Sequence, residues 1–77
     1  MRGREILKKI MEDIDWGNAE LAKRLGVSNA TIWEQLNNKN VKDIPVSLLS
    51  NMVRVMGYKV IVVPNDTRLP KGGYEVD

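Results

Sequence analysis

The side chains that could do chemistry in this sequence are amides, hydroxyls and carboxylates. There is no cysteine and no histidine, which removes the thiolate nucleophile, the disulfide, the usual zinc ligands and the commonest general base. Glu12, Asp13 and Asp15 lie close together, but no partner for proton transfer and no glycine-rich phosphate loop accompanies them. They read as solvated surface, and the chain reads as a non-enzyme without metal or cofactor. Polar groups gather instead between Asn18 and Asn40, in Asn18, Ser28, Asn29, Thr31, Glu34, Asn37 and Asn38, with Trp33 among them. An amide presents a donor and an acceptor side by side, and a hydroxyl can act as either. Groups of this kind recognise a hydrogen-bonding surface rather than transform it.

Recognition requires elements that hold those groups in place. Ile6, Leu7, Ile10, Met11 and Ile14 share one helical face and predict a first helix over Arg4 to Ile14, broken by Asp15-Trp16-Gly17. Asn18 is a good N-cap type and Leu21 and Leu25 stand one turn apart, so a second helix is expected from Asn18, with Glu20 suiting its dipole. Gly26 supplies the left-handed residue that ends it. Ser28 then caps a third helix running to about Asn38, and Asn37-Asn38-Lys39-Asn40 reads as a loop. A fourth helix is expected from Pro45 to Met56, stopped by Gly57. Tyr58-Lys-Val-Ile-Val-Val63 is β-branched and closed by Pro64, so it reads as a strand. The tail from Asn65 to Asp77 holds Pro70, Gly72 and Gly73 and is expected to be irregular.

The second and third helices form the most specific pattern. Ala22 is small enough for two helices to cross closely there, and Gly26 tolerates positive φ in the turn four residues later. Leu21, Leu25, Val27 and Ile32 make the expected apolar seam, with Val27 placed to seal the core. Such a pair can project its second helix into the major groove of DNA.

Ala-Glu-Leu-Ala-Lys-Arg-Leu-Gly-Val-Ser at 19–28, followed by Ala-Thr-Ile at 30–32, resembles the helix-turn-helix of the Xre family, the Cro- and phage-repressor-like transcription regulators. Leu49 to Gly57 resembles that family's last core helix and terminating glycine. The resemblance implies a mainly α fold: a four-helix Cro/repressor-like helix-turn-helix domain over 1–57, one C-terminal β-strand at 58–64 paired across a dimer, and a tail at 65–77. It further implies that Ser28, Asn29, Ala30, Trp33, Glu34 and Asn37 face base edges. Asn29 would pair with adenine, Ala30 would touch a thymine methyl, and Glu34 would accept from cytosine. Asn18, Thr31, Lys39 and Lys42 would hold phosphates. One position departs from the pattern: Gln35 stands where an apolar residue is usual, and Leu36 follows. Either the third helix is rotated, or Trp33 and Leu36 both pack inward. Trp16 is expected to pack across the corner between the first two helices, and Arg2, Arg4, Lys8 and Lys9 to form a solvated face, with an N-terminal phosphate contact as the alternative.

A lone strand leaves a row of unpaired backbone groups. Because Val60, Ile61, Val62 and Val63 are all apolar, burial on both faces is expected. Pairing with a second copy through Tyr58, Val60, Ile61, Val62 and Val63 satisfies both conditions and gives a homodimer that reads two half-sites. A pairing with Tyr74-Glu75-Val76 of the same chain is the alternative. A chain of 77 residues makes one small domain, for which oligomerisation is a common source of added stability.

Net charge is only +2, and 1–40 carry seven basic against six acidic residues. Any contact with DNA therefore depends on local placement of charge rather than on a broad basic field. The expected function is a sequence-specific, repressor-like regulator acting as a homodimer on double-stranded operator DNA. Two alternatives stand beside it: an antitoxin bound to a toxin protein, and a protein-interaction module that binds no DNA. With no apolar run of bilayer-spanning length and no signal-peptide pattern, the expected location is the cytoplasm, without membrane contact.

Overall fold

The computed structural model describes residues 1–38 and 43–76. Four helices occupy them: α1 (Gly3–Asp13), α2 (Asn18–Leu25), α3 (Asn29–Asn37) and α4 (Val46–Arg54). α2 packs most closely on α3, and α1 lies across both α3 and α4. The apolar spacing decides what each helix buries. Ile6, Leu7, Ile10 and Met11 of α1 meet Leu21 and Ala22 of α2, Ile32 and Leu36 of α3, and Leu49, Met52 and Val53 of α4. None of the described helices is long and apolar enough to cross a membrane.

The helix ends show how the corners are set. Asp43 caps α1 from forty residues away. Its carboxylate accepts from the backbone N–H of Gly3 at 2.8 Å and of Arg4 at 3.1 Å, two donors that a helix start leaves without an internal partner. Gly3 makes that approach possible: a Cβ at this position would stand 3.2 Å from Leu49 Cδ2 and 3.4 Å from both Asp43 oxygens. Arg4 completes the junction, donating from Nη1 to the Asn38 carbonyl at 3.1 Å and lying 3.9 Å from Asp43 Oδ1. Arg4 is thus half-buried and structural, not part of a solvated face.

Three helices stop in the same way. After α2 a left-handed Gly26 lets Val27 N–H reach back to the Ala22 carbonyl at 3.0 Å. After α4 a left-handed Gly57 lets Tyr58 N–H reach the Val53 carbonyl at 2.9 Å. After α1 the left-handed residue is Asp15, at φ 58°, and Trp16 N–H reaches the Met11 carbonyl at 2.9 Å. This closing pair of turns satisfies carbonyls that the helix end would otherwise leave open.

Several expectations are corrected. Gly17, not Asn18, precedes α2 in extended conformation, and no side chain caps that end. α4 starts beside Pro45 as expected, at Val46, but it ends at Arg54 rather than Met56. Val27 does not seal the core; it is 41% exposed, because its backbone is held by the turn while its side chain faces solvent.

The largest correction concerns the C-terminal strand. No strand occurs among the described residues. Tyr58 is half-buried against the core, but Val60, Ile61, Val62 and Val63 are exposed, Val62 by 98%. A strand exists only through the hydrogen bonds of a neighbour, and a single copy offers these residues none. Pairing with Tyr74-Glu75-Val76 is also absent. The tail is irregular, as expected, but it folds back: Tyr74 packs against the core and its hydroxyl donates to Asp13 Oδ2 at 2.5 Å. The Met1 ammonium donates to the Glu75 carbonyl at 3.0 Å.

Candidate nucleic-acid interface

α2, the Gly26 turn and α3 form a rigid unit because the turn is closed at both ends. Gly26 and Val27 close α2, and Ser28 opens α3 by accepting from Thr31 N–H at 3.2 Å. The Ser28 and Thr31 hydroxyls lie 2.9 Å apart. The two hydroxyls share one bond, so one of them keeps an outward donor.

Helical spacing then sorts the α3 side chains. Ile32 and Leu36 are buried, and Gln35 is half-buried. Asn29, Ala30, Trp33, Glu34 and Asn37 are exposed along one stripe, the i, i+4, i+8 face. Leu36 takes the core place that Gln35 cannot fill, and Trp33 turns outward with 58% exposure. Of the two expected packings, only the inward Leu36 is found; Trp33 is not a core residue. The stripe spans eight residue steps from Asn29 to Asn37, about 12 Å along the helix axis at 1.5 Å per residue.

Asn37 closes the stripe and is fixed on both sides. Its Nδ2 donates to the Trp33 carbonyl at 2.9 Å, and its Oδ1 accepts from Lys8 Nζ at 3.5 Å. Lys8, expected in a solvated face with a phosphate contact as the alternative, reaches the end of the stripe. It comes from α1, twenty-nine residues away, and no local signal links the two.

Between the end of α1, the start of α2 and the end of α3 lies an open groove of about 480 Å³, lined by Lys8, Glu12, Asp15, Trp16, Asn18 and Asn37 among others. Asn18 and Asn37 thus line one groove, and the start of α2 has no side-chain cap. The acidic cluster is divided: Glu12 and Asp15 line this groove, whereas Asp13 receives the Tyr74 hydroxyl. That hydrogen bond, then burial and the Asp13 charge, push the Tyr74 hydroxyl up to about 12. Trp16 bridges the corner as expected, with the Arg24 guanidinium 5.2 Å from its ring centre. Arg24 Nε also donates to Glu20 Oε1 at 3.0 Å.

The expected contact residues are divided: Asn29, Ala30, Trp33, Glu34 and Asn37 form the exposed stripe, Asn18 and Asn37 line the groove toward α1, and Thr31 lines a second groove with Gln35 and with Leu48 and Asn51 of α4. Lys39 and Lys42 lie outside the described residues. Tyr58 to Val63 are not at this site. No family model, curated protein or solved structure matches the chain at a significant level.

Proposed function

We propose that this protein is a sequence-specific, repressor-like DNA-binding regulator whose α3 reads base edges in the major groove and which acts as a homodimer. The observation that carries the reading is the α3 stripe. Amide, carboxylate and small apolar side chains stand exposed in a row on a helix whose opposite face is locked into the core. A helix held so has the dimensions of the major groove, and its start is free to approach base edges. The uncapped start of α2 supplies amides of the kind that hold a phosphate, beside Asn18. Thr31, Lys39 and Lys42 complete the phosphate set, and Lys8 joins it from α1.

The dimer reading rests on the segment after α4. Val60, Ile61, Val62 and Val63 form an exposed apolar run between two anchored tyrosines, Tyr58 and Tyr74. Antiparallel pairing of this run with its twofold copy gives it the strand partner that one chain lacks, and closes the assembly. Twofold dimers of this kind read half-sites about one turn of DNA apart, about 34 Å, and the strand pairing is the element proposed to set that spacing. The resemblance to Xre-family regulators and a cytoplasmic site of action belong to the same reading.

A second reading is a protein-interaction module, of which an antitoxin is one form. The exposed Trp33 favours it, because exposed tryptophans are common anchors of protein interfaces. The test is a fluorescence-anisotropy titration on a duplex selected from a random pool. The wild type should bind the selected duplex well above random DNA. Asn29→Ala should lose about 1–3 kcal/mol on it while binding random DNA nearly unchanged. A protein that selects no duplex from the pool is an interaction module.

A further inference from the structure

The side chains on the α3 stripe restrict which bases the helix can accept. We infer that the half-site is built of A·T pairs with one cytosine beneath Glu34, and that no guanine is read by the first two turns of α3. This inference rests on the DNA-reading proposal above and gives its target a composition.

The argument runs base by base. Guanine shows two acceptors, O6 and N7, to the major groove, and its usual partners are Arg and Lys. The exposed stripe of Asn29, Ala30, Trp33, Glu34 and Asn37 contains neither. Glu34 goes further than omission. Its carboxylate only accepts, so against guanine O6 and N7 or thymine O4 it sets acceptor against acceptor. Cytosine N4 offers it a donor and is the base contact usual for a carboxylate, whereas adenine presents N6 with N7 and suits an amide better. The amide of Asn29 matches the N6 and N7 pair of adenine. Ala30 and the flat face of Trp33 are apolar and adjoin it, a surface suited to the thymine methyl. The stripe's length of about 12 Å corresponds to about four base pairs at 3.4 Å each.

The cations of the neighbourhood do not change this. Arg24 is on α2, stacked on Trp16 and paired with Glu20. Arg4 is held at the Asp43 junction. Lys8 reaches the Asn37 end of the stripe. Among the described residues, a guanine at the inner positions therefore lacks its usual arginine or lysine partner.

The experiment is selection of bound duplexes from a random pool, run in parallel with wild type and with Glu34→Gln. Glu34 is exposed, and the substitution preserves shape. The wild type should enrich A·T pairs with a single internal cytosine. In Glu34→Gln that cytosine should change to adenine, the base that glutamine matches, with the rest of the motif kept. The cytosine-over-adenine preference should fall by about 5- to 150-fold. An enriched half-site with two or more inner C·G pairs, or an unchanged motif in Glu34→Gln, overturns the inference while leaving DNA reading intact. A pool that yields no motif with either protein overturns the DNA-reading proposal itself, and this inference with it.

Discussion

Removing the carboxylate of Asp43 should loosen α1 more than any surface change of similar size. In Asp43→Ala the N–H groups of Gly3 and Arg4, now bonded at 2.8 and 3.1 Å, lose their acceptor. Loss of an N-cap costs about 1 kcal/mol, and up to about 2. Loss of a negative charge at a helix start adds about 0.3–1 kcal/mol. The Arg4 contact at 3.9 Å is loose and adds little. The total is about 2 kcal/mol, a fall in Tm of roughly 8–16 °C for a domain of this size. Urea unfolding followed by circular dichroism measures it.

The pH dependence gives a second reading of the same site. Burial alone would raise the Asp43 carboxyl, but the N–H groups of Gly3, Ile44 and Arg4 and the Arg4 charge outweigh it and hold it below its ordinary 3.8. A group with a depressed folded value stabilises the fold above its unfolded value and loses that contribution as pH falls through the folded one. The gap between wild type and Asp43→Asn should be full at pH 7 and close below about pH 4. An alanine effect under about 0.5 kcal/mol at pH 7, or an asparagine gap that does not narrow in acid, would refute the reasoning.

Asp15 holds the left-handed position that glycine holds after α2 and α4, so Asp15→Gly should raise stability by about 0.5–1 kcal/mol in the same unfolding assay; a loss would show that the side chain itself holds the corner. In Tyr58→Phe, spectrophotometric titration should find the remaining Tyr74 near 12. Because that value is raised, stability should hold below about pH 10 and decline as pH rises beyond it; a midpoint near 10 would mean that the bond to Asp13 is not kept in solution. Ile61→Lys should give monomers in light scattering and weak binding to a two-half-site duplex, and a tight dimer in this variant would sink the strand-pairing proposal.

The order of the four helices and the turn between α2 and α3 were legible because their rules are local. The small Ala22, the Gly26 turn and the Ser28 cap each act within a few residues of where they stand. The orientation of α3 was only half legible: Gln35 signalled a departure, but only the packed structure shows Leu36 inward and Trp33 outward. Asp43 and Lys8 were illegible, since each acts on a helix forty or twenty-nine residues away. The strand was misread for one copy because β-propensity describes a surface that fits a neighbour, and the neighbour is not encoded in the segment. The tail, expected to be irregular, is so, but its anchor depends on Tyr74 meeting Asp13 across sixty-one positions.

If α3 is the surface that meets DNA, backbone amide shifts of labelled protein will show it as a selected duplex is added. Changes should concentrate at Ser28 to Asn37 and at Asn18, with Trp33 among the largest, while Val46 to Arg54 stay in place. Changes centred on α4 or on the tail, with α3 unmoved, would contradict that assignment.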